Sequence, residues 1–193
     1  MLNSQNKYAK ITAFYSVSLE KFDMKPHEPI SFEIMYVSSG SCQIWIKNQL
    51  LSLNENEFVF IEPNIQHALF VKSQRGCTLL NLEFELGKTE LDYEVADVLN
   101  VSEGFQMIKN KPLEIGIKKD SRQLGQSLKM LIQVLTNEES QANYSAEISL
   151  TIELLFKRML LELFYCTSFS EKKRGNIYVN RAIDYMLENF AET

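Results

Sequence analysis

Two histidines and one glutamate are the residues of this chain that could together bind a metal ion or move a proton. His27 and His67 are the two histidines of the chain, and Glu33 lies between them in the sequence. Two imidazoles and one carboxylate form a ligand set with open coordination positions, which suits a divalent metal. The same groups could contact an organic ligand, and His67 could equally be a core histidine that is hydrogen-bonded to a neighbour.

Other catalytic motifs are absent from the sequence. It contains no phosphate-binding glycine loop and no nucleophile elbow, and it has no third histidine for a catalytic triad. Any chemistry would therefore depend on His27, Glu33 and His67.

Strands must position these residues, because the first half of the chain has the pattern of a β protein. Short runs rich in Ile, Val, Phe and Tyr predict strands over residues 30–37, 42–46, 57–61, 68–71 and 77–86. Turn formers separate the runs, among them Gly40, Asn56 and Pro63. Several short strands at this spacing predict an all-β sandwich or barrel.

The second half changes to the period of helices. Apolar residues at spacings of three and four predict an amphipathic helix over 122–136. A second helix over 146–165 is apolar nearly all round, so a barrel alone cannot cover it. Either the first helix supplies the remaining cover or a second copy of the chain does. We expect a homodimer whose contacts are made by Ile148, Ile152, Leu155, Met159 and Leu163.

The last residues have the composition of a linker and a new helix. Residues 167–176 are polar and partly basic, and a further apolar stripe follows over 177–190. A single amphipathic helix has no partner on which to bury its stripe, so we expect it to open a further domain.

Composition restricts the function classes. The chain has 193 residues and a net charge of -5, which argues against direct reading of nucleic acid, because phosphates require a basic face. Its three cysteines form no CxxC pair, so we expect neither a disulfide framework nor a zinc knuckle. No apolar run has the length of a signal peptide or a membrane span. We therefore expect a cytoplasmic protein with no membrane partner.

Several residues of the predicted barrel match the two cupin motifs. Glu33 and Gly40 have the spacing that ends the first motif, and His27 stands where that motif has its first histidine. His67 matches the histidine of the second motif. Pro29 replaces the second histidine of the first motif, so one standard metal ligand of the cupins is missing.

The pattern resembles most closely the N-terminal effector domains of AraC-type transcriptional regulators. Residues 177–190 are similar to the first helix of that family's DNA-binding domain. The barrel residues that carry the resemblance are Tyr36, Val37, Gly40, Leu53, Phe58, Ile61, Pro63, His67, Leu82 and Phe84.

The resemblance implies a mainly β plus α fold: a cupin-like (double-stranded β-helix) barrel followed by a two-helix dimerisation unit. Residues 1–110 would form the barrel with an N-terminal arm that closes over a ligand. Residues 120–166 would form the helical dimerisation hairpin. Residues 167–193 would be a linker and the first helix of an absent helix-turn-helix domain.

The function implied is effector sensing and dimerisation in a bacterial AraC-type regulator. A small polar effector, such as a sugar, would bind in the barrel, and DNA contact would need the C-terminal domain. We expect no enzyme activity, no cofactor and no bound metal. The alternative is a cupin enzyme, metal-free or metal-dependent, such as a sugar isomerase or epimerase with His67 as its base. The expected ligand contacts are His27, Glu33, Met35, Trp45, His67, Asn81 and Glu83.

Overall fold

The computed structural model describes residues 2–72, 76–138 and 145–168. Its strands are β1 Tyr8–Leu19, β2 Phe22–Asp23, β3 Phe32–Ile46, β4 Gln49–Asn54, β5 Glu57–Ile61, β6 His67–Val71, β7 Cys77–Gly87, β8 Tyr93–Glu94 and β9 Lys118–Lys119. Its helices are α1 Ala96–Val101, α2 Glu103–Ile108, α3 Leu124–Glu138 and α4 Ala146–Ser168. None of the helices in these ranges has the length and hydropathy needed to cross a membrane.

One long strand, β3, belongs to both halves of an antiparallel β barrel. Its first half pairs with β5 on one side and with β7 on the other, and β7 continues to β1 and β8. Its second half pairs with β4 and β6, and β6 continues to β2. The change of partners coincides with a register shift after Val37 and with Gly40 at φ +76°. The strand therefore turns from one sheet into the other without a loop.

The alternation of side chains along the first sheet separates two cores. Residues that point between the sheets form an inner apolar cluster, and their strand neighbours form an outer cluster under the helices. The inner cluster includes Met35, Val37, Cys42, Ile44, Ile46, Leu53, Val59, Ile61, Leu69, Val71, Cys77 and Leu79. The outer one includes Phe32, Ile34, Tyr36, Phe58, Phe60, Leu80, Leu82 and Phe84.

Helix α4 is covered by its own chain. Its Phe156 packs against Phe84 of β7 with ring centroids 5.7 Å apart, and α2 and α3 contact its flanks. At Gly104 of α2 an added Cβ would overlap the Phe164 carbonyl group, so the two helices approach closely there. These contacts explain why the helix is apolar on so many sides.

Burial within the chain corrects part of the predicted dimer contacts. Three of them, Ile152, Met159 and Leu163, are completely buried in the outer cluster, and Ile148 and Leu155 are half-buried against it. The sequence pattern showed that α4 must be covered, but the cover comes from α2, α3 and the first sheet. The exposed apolar residues of α4 are instead Leu150, Leu154 and Leu161.

The predicted fold class is confirmed, with differences in its details. The two strands expected at 30–37 and 42–46 are one strand, because Gly40 bends the backbone without ending the pairing. The expected N-terminal arm contains β1, which pairs with β7 along its length. Helices α1 and α2, within the range assigned to the barrel, contact α4. Residues 169–193, which carry most of the expected linker and next helix, lie outside the described residues.

Gly40→Ala should destabilise the protein, because its φ of +76° disfavours any Cβ and the new atom would overlap the Gly76 carbonyl. We expect the free energy of unfolding in urea to fall by about 1–3 kcal/mol. Gly116→Ala is the matched control, since nothing lies within 4 Å of its added Cβ. Equal effects of the two substitutions would contradict the bend at Gly40.

Candidate functional site

A layer of polar side chains crosses the inside of the barrel. In the first sheet, Glu33 of β3 lies directly opposite Glu83 of β7, and Ala13 of β1 follows Glu83 in the same row. In the second sheet, His67 of β6 is bridged to His27 through their backbones. The two rows face each other across the barrel, and they bring two imidazoles and two carboxylates together.

Glu33 and His67 form the buried base of this layer. Oε2 of Glu33 lies 3.0 Å from Nε2 of His67 and 3.9 Å from Nε2 of His27. The Glu33 and His67 side chains are 1% and 0% exposed, whereas that of His27 is 40% exposed. The two rings meet edge to face with centroids 4.3 Å apart. His27 therefore stands at the open side of the layer and His67 at its closed side.

The orientation of the His67 ring follows from its other nitrogen. Nδ1 lies 2.9 Å from the carbonyl oxygen of Ile65, and because a carbonyl oxygen only accepts, Nδ1 is the donor. Nε2 then faces the Glu33 carboxylate at ion-pair distance but without hydrogen-bond alignment. Both atoms consequently retain the capacity to contact a further group.

Burial and charge shift the proton affinities in this layer. Burial alone would lower the pKa of His67, but the adjacent Glu33 carboxylate outweighs burial and raises that pKa above its ordinary value. Burial and then the neighbouring His67 lower the pKa of His27. Burial and then the charge of Glu33 raise the pKa of Glu83. The layer thus favours one imidazolium, at His67, opposite two carboxyl groups.

Asn81 lies next to this layer and has no hydrogen-bond partner among the residues that the structure describes. Its side chain is completely buried on β7, and neither the amide nitrogen nor the amide oxygen has a hydrogen bond. A buried amide without partners costs about 1–3 kcal/mol, so natural proteins rarely retain one without a reason. A bound molecule that hydrogen-bonds to Asn81 would supply that reason.

A cavity of about 430 Å³ opens beside Asn81, between the edges of the two sheets. It is connected to the polar layer through Tyr15 and Met35, which line the cavity and are the two cross-strand neighbours of Asn81. Tyr15 is 38% exposed. Burial, followed by the charges of Glu33 and Glu83, raises the pKa of its phenol. The other lining residues are Ser16, Val17, Leu19, Phe22, Met24, Leu69 and Leu79.

The structure brings together six of the seven expected ligand contacts. His27, Glu33, Met35, His67, Asn81 and Glu83 all belong to the polar layer or to the end of the cavity beside it. Trp45 does not, because its neighbours Ile44 and Ile46 point into the barrel and Trp45 alternates to the outside. Phe22 and Met24 were missed, since β2 is too short to give a strand pattern. The only sequence feature that could have indicated these two lining residues is that both are apolar and lie near the predicted barrel.

The residues also fit a metal ion. The ligand atoms of His27, Glu33 and His67 lie within 4.8 Å of one another. The bond from Nδ1 of His67 to the Ile65 carbonyl is the outer contact that usually orients a metal-binding histidine. The donor set of two imidazoles and one carboxylate suits zinc or non-haem iron.

Comparison with protein families gives a match over most of the chain. The sequence model of the family described as "AraC-like ligand binding domain" matches residues 12–156. No curated protein matches the sequence. Among solved structures, a cupin-2 domain containing protein from Shewanella frigidimarina is 22% identical, with 41% of this chain and 79% of that chain covered and a TM-score of 0.33.

Two further solved structures show similar partial likenesses. KdgF from Halomonas sp. is 14% identical, with 39% of this chain and 77% of that chain covered and a TM-score of 0.33. The Cupin_2 domain of an XRE family transcriptional regulator from Enterobacter cloacae is 21% identical, with 39% and 92% covered and a TM-score of 0.31.

Asn81→Leu should stabilise the ligand-free protein, because it replaces an unpartnered buried amide by an apolar group of similar size. We expect the free energy of unfolding in urea to rise by about 1–3 kcal/mol. Asn54→Leu is the control, since the Asn54 amide donates to Glu57 at an exposed position. Destabilisation by Asn81→Leu would show that the amide has a partner within the folded chain.

Proposed function

The chain belongs to the family of AraC-like ligand-binding domains, and on that premise we propose that it is the effector-sensing part of a bacterial AraC-type transcription regulator. The observation that carries this proposal is the cavity beside the unpartnered Asn81 and the polar layer. Its volume of about 430 Å³ is within the range of small-molecule sites. A small molecule would bind there, between the two sheets.

The fold offers a route from the cavity to the helices. Strand β1 lines the cavity with Tyr15 and Val17, while Phe14 of the same strand packs on the outer cluster. Helix α3 contacts both β1 and β7. A ligand that moved β1 would therefore also move the surface on which α3 and α4 rest. Binding would favour one of two arrangements of the helices, which is how an effector controls a regulator.

The remaining parts of the proposal concern DNA and the compartment. DNA would be contacted by a C-terminal helix-turn-helix domain, because the net charge of -5 does not suit phosphate binding by these residues.

The cysteines Cys42, Cys77 and Cys166 are all free and buried. Reduced thiols suit the cytoplasm, where we place the regulator. We propose no catalytic step for it.

Metal-dependent cupin chemistry is the second candidate, because His27, Glu33 and His67 converge. These residues would hold the ion, which when bound would act as a Lewis acid on a ligand oxygen. The chain itself would orient His67 through Ile65 and would exclude water at the buried Glu33. Stoichiometric zinc or iron in the purified protein would favour this candidate.

The pocket is tested with N-phenylnaphthylamine, a neutral fluorescent probe for apolar sites. We expect one probe molecule to bind per chain, because the cavity lining is largely apolar. Leu79→Trp should abolish binding by filling the cavity, and Val17→Phe, at its cross-strand neighbour on β1, should weaken it. Leu50→Trp, at a position that is 55% exposed outside the cavity, is the control. Equal fluorescence titrations for parent, Leu79→Trp and Val17→Phe would contradict the pocket.

We further propose that the chain forms a homodimer through exposed leucines of α4. Leu150 and Leu154 are 55% and 59% exposed, and Leu161 is 39% exposed. Their spacings of four and seven residues put them on one stripe of the helix. Met130 of α3, which is 39% exposed, adds a further apolar side chain on the helical pair. A second copy would bury this stripe.

Leu154→Glu should convert the dimer to a folded monomer, because it places a charge in the proposed interface. Leu163→Glu should instead unfold the protein, since Leu163 is completely buried in its own chain. Light scattering after gel filtration, together with circular dichroism, separates the two outcomes. Gln133→Glu at an exposed position of α3 is the control. A monomeric parent, or a dimer that survives Leu154→Glu, would rule out this interface.

A further inference from the structure

The charges and the apolar walls of the site together indicate what kind of molecule it takes. We infer that the effector is an amphipathic cation: an organic amine whose apolar body fills the cavity and whose ammonium group reaches the carboxylate of Glu83. This inference rests on the proposed function of the barrel as an effector site. It names the ligand class that the site is built to bind.

The charge pattern is the first reason. Glu33 and Glu83 are directly opposite each other on neighbouring strands, an arrangement in which like charges destabilise a sheet. His67 contacts Glu33 at 3.0 Å, and no ion pair within the described part of the chain involves Glu83. In the ranges that the structure describes, no lysine or arginine pairs with either carboxylate. The layer is therefore short of one positive charge.

Access to Glu83 is the second reason. Its neighbour on β1 is Ala13, the side chain of which is too short to cover the carboxylate, and Glu83 is only half-buried. Asn81 and Tyr15 lie in the next row toward the cavity. An ammonium group has three donors. The Glu83 carboxylate, the amide oxygen of Asn81 and the phenol oxygen of Tyr15 are acceptors that could receive them.

The apolar lining is the third reason. Beyond Tyr15 and Ser16, the cavity wall consists of aliphatic, methionine and phenylalanine side chains. A sugar would bury several hydroxyl groups against this wall, and each hydroxyl without a partner would cost about 1–3 kcal/mol. Burial of a hydrocarbon chain or an aromatic ring against the same wall would make the free energy of binding more favourable. An apolar body with one charged end fits both parts of the site, whereas a uniformly polar molecule fits only one.

Three probes with the same body and different ends test the inference: phenylbutylamine, phenylbutanol and phenylbutyrate. Calorimetric titration of the chelator-treated chain should give an affinity for the amine about tenfold or more above that for the alcohol. The carboxylate should bind most weakly. Glu83→Gln should remove the preference for the amine and leave the affinity for the alcohol unchanged. Glu90→Gln, at an exposed position outside the site, should keep the preference.

The contrary outcomes separate this inference from the function on which it rests. One contrary outcome is that the three probes bind equally, or that the carboxylate binds best, while Leu79→Trp blocks all three. The cavity would then be a ligand site, but the inference that the effector is a cation would be wrong. If the parent binds N-phenylnaphthylamine but not the amine, the inference alone also falls. If neither compound binds, the proposed function falls with it. A zinc ion that binds stoichiometrically and abolishes the amine preference would assign the carboxylates to a metal instead.

Discussion

Across β3 and β7, the backbone register places Glu33 directly opposite Glu83 inside a barrel whose other inner residues are mostly apolar. This pairing is the constraint on which the site depends, because two carboxyl groups at such positions require either protons or positive partners. His67 meets the requirement for Glu33, and the carbonyl of Ile65 holds the His67 ring in place. Among the described residues, the buried amide of Asn81 has no hydrogen-bond partner, and in the proposed function a bound molecule supplies one. Without a ligand the polar layer lowers the stability of the barrel, whereas with a ligand bound its groups would make contacts.

The bend in β3 makes this layer possible. Because one strand serves both sheets, Glu33 in its first half and Ile46 in its second half lie across the barrel from each other, and His67 pairs beside Ile46. Gly40 permits the bend at an angle that other residues disfavour. The same strand carries Ile34 and Tyr36 on its opposite face, under α3 and α4. Successive side chains of β3 therefore point alternately to the barrel interior and to the surface under the helices.

Much of the barrel could be predicted from strand alternation and from the cupin-like residues. Strand alternation puts Glu33 and Met35 on one face of β3, and it puts Glu83 on the same face of β7 as Asn81, the position that the resemblance indicates. Trp45 shows the limit, because a shift of one residue moves a side chain to the opposite face and the bend at Gly40 was not predictable. The face of α4 that packs inward was also not predictable, since an all-round apolar helix gives no direction. Leu154 and Leu155 are adjacent in sequence, yet one is exposed and the other half-buried against the core.

The most direct measurement of the central claim is the side-chain amide signal of Asn81 in a nitrogen-15 NMR spectrum, assigned by its loss in Asn81→Leu. If the barrel interior is the ligand site, titration with phenylbutylamine should shift this buried amide more than the amides of exposed asparagines such as Asn54 and Asn56. An unchanged Asn81 signal, with shifts confined to exposed residues, would contradict a ligand site inside the barrel.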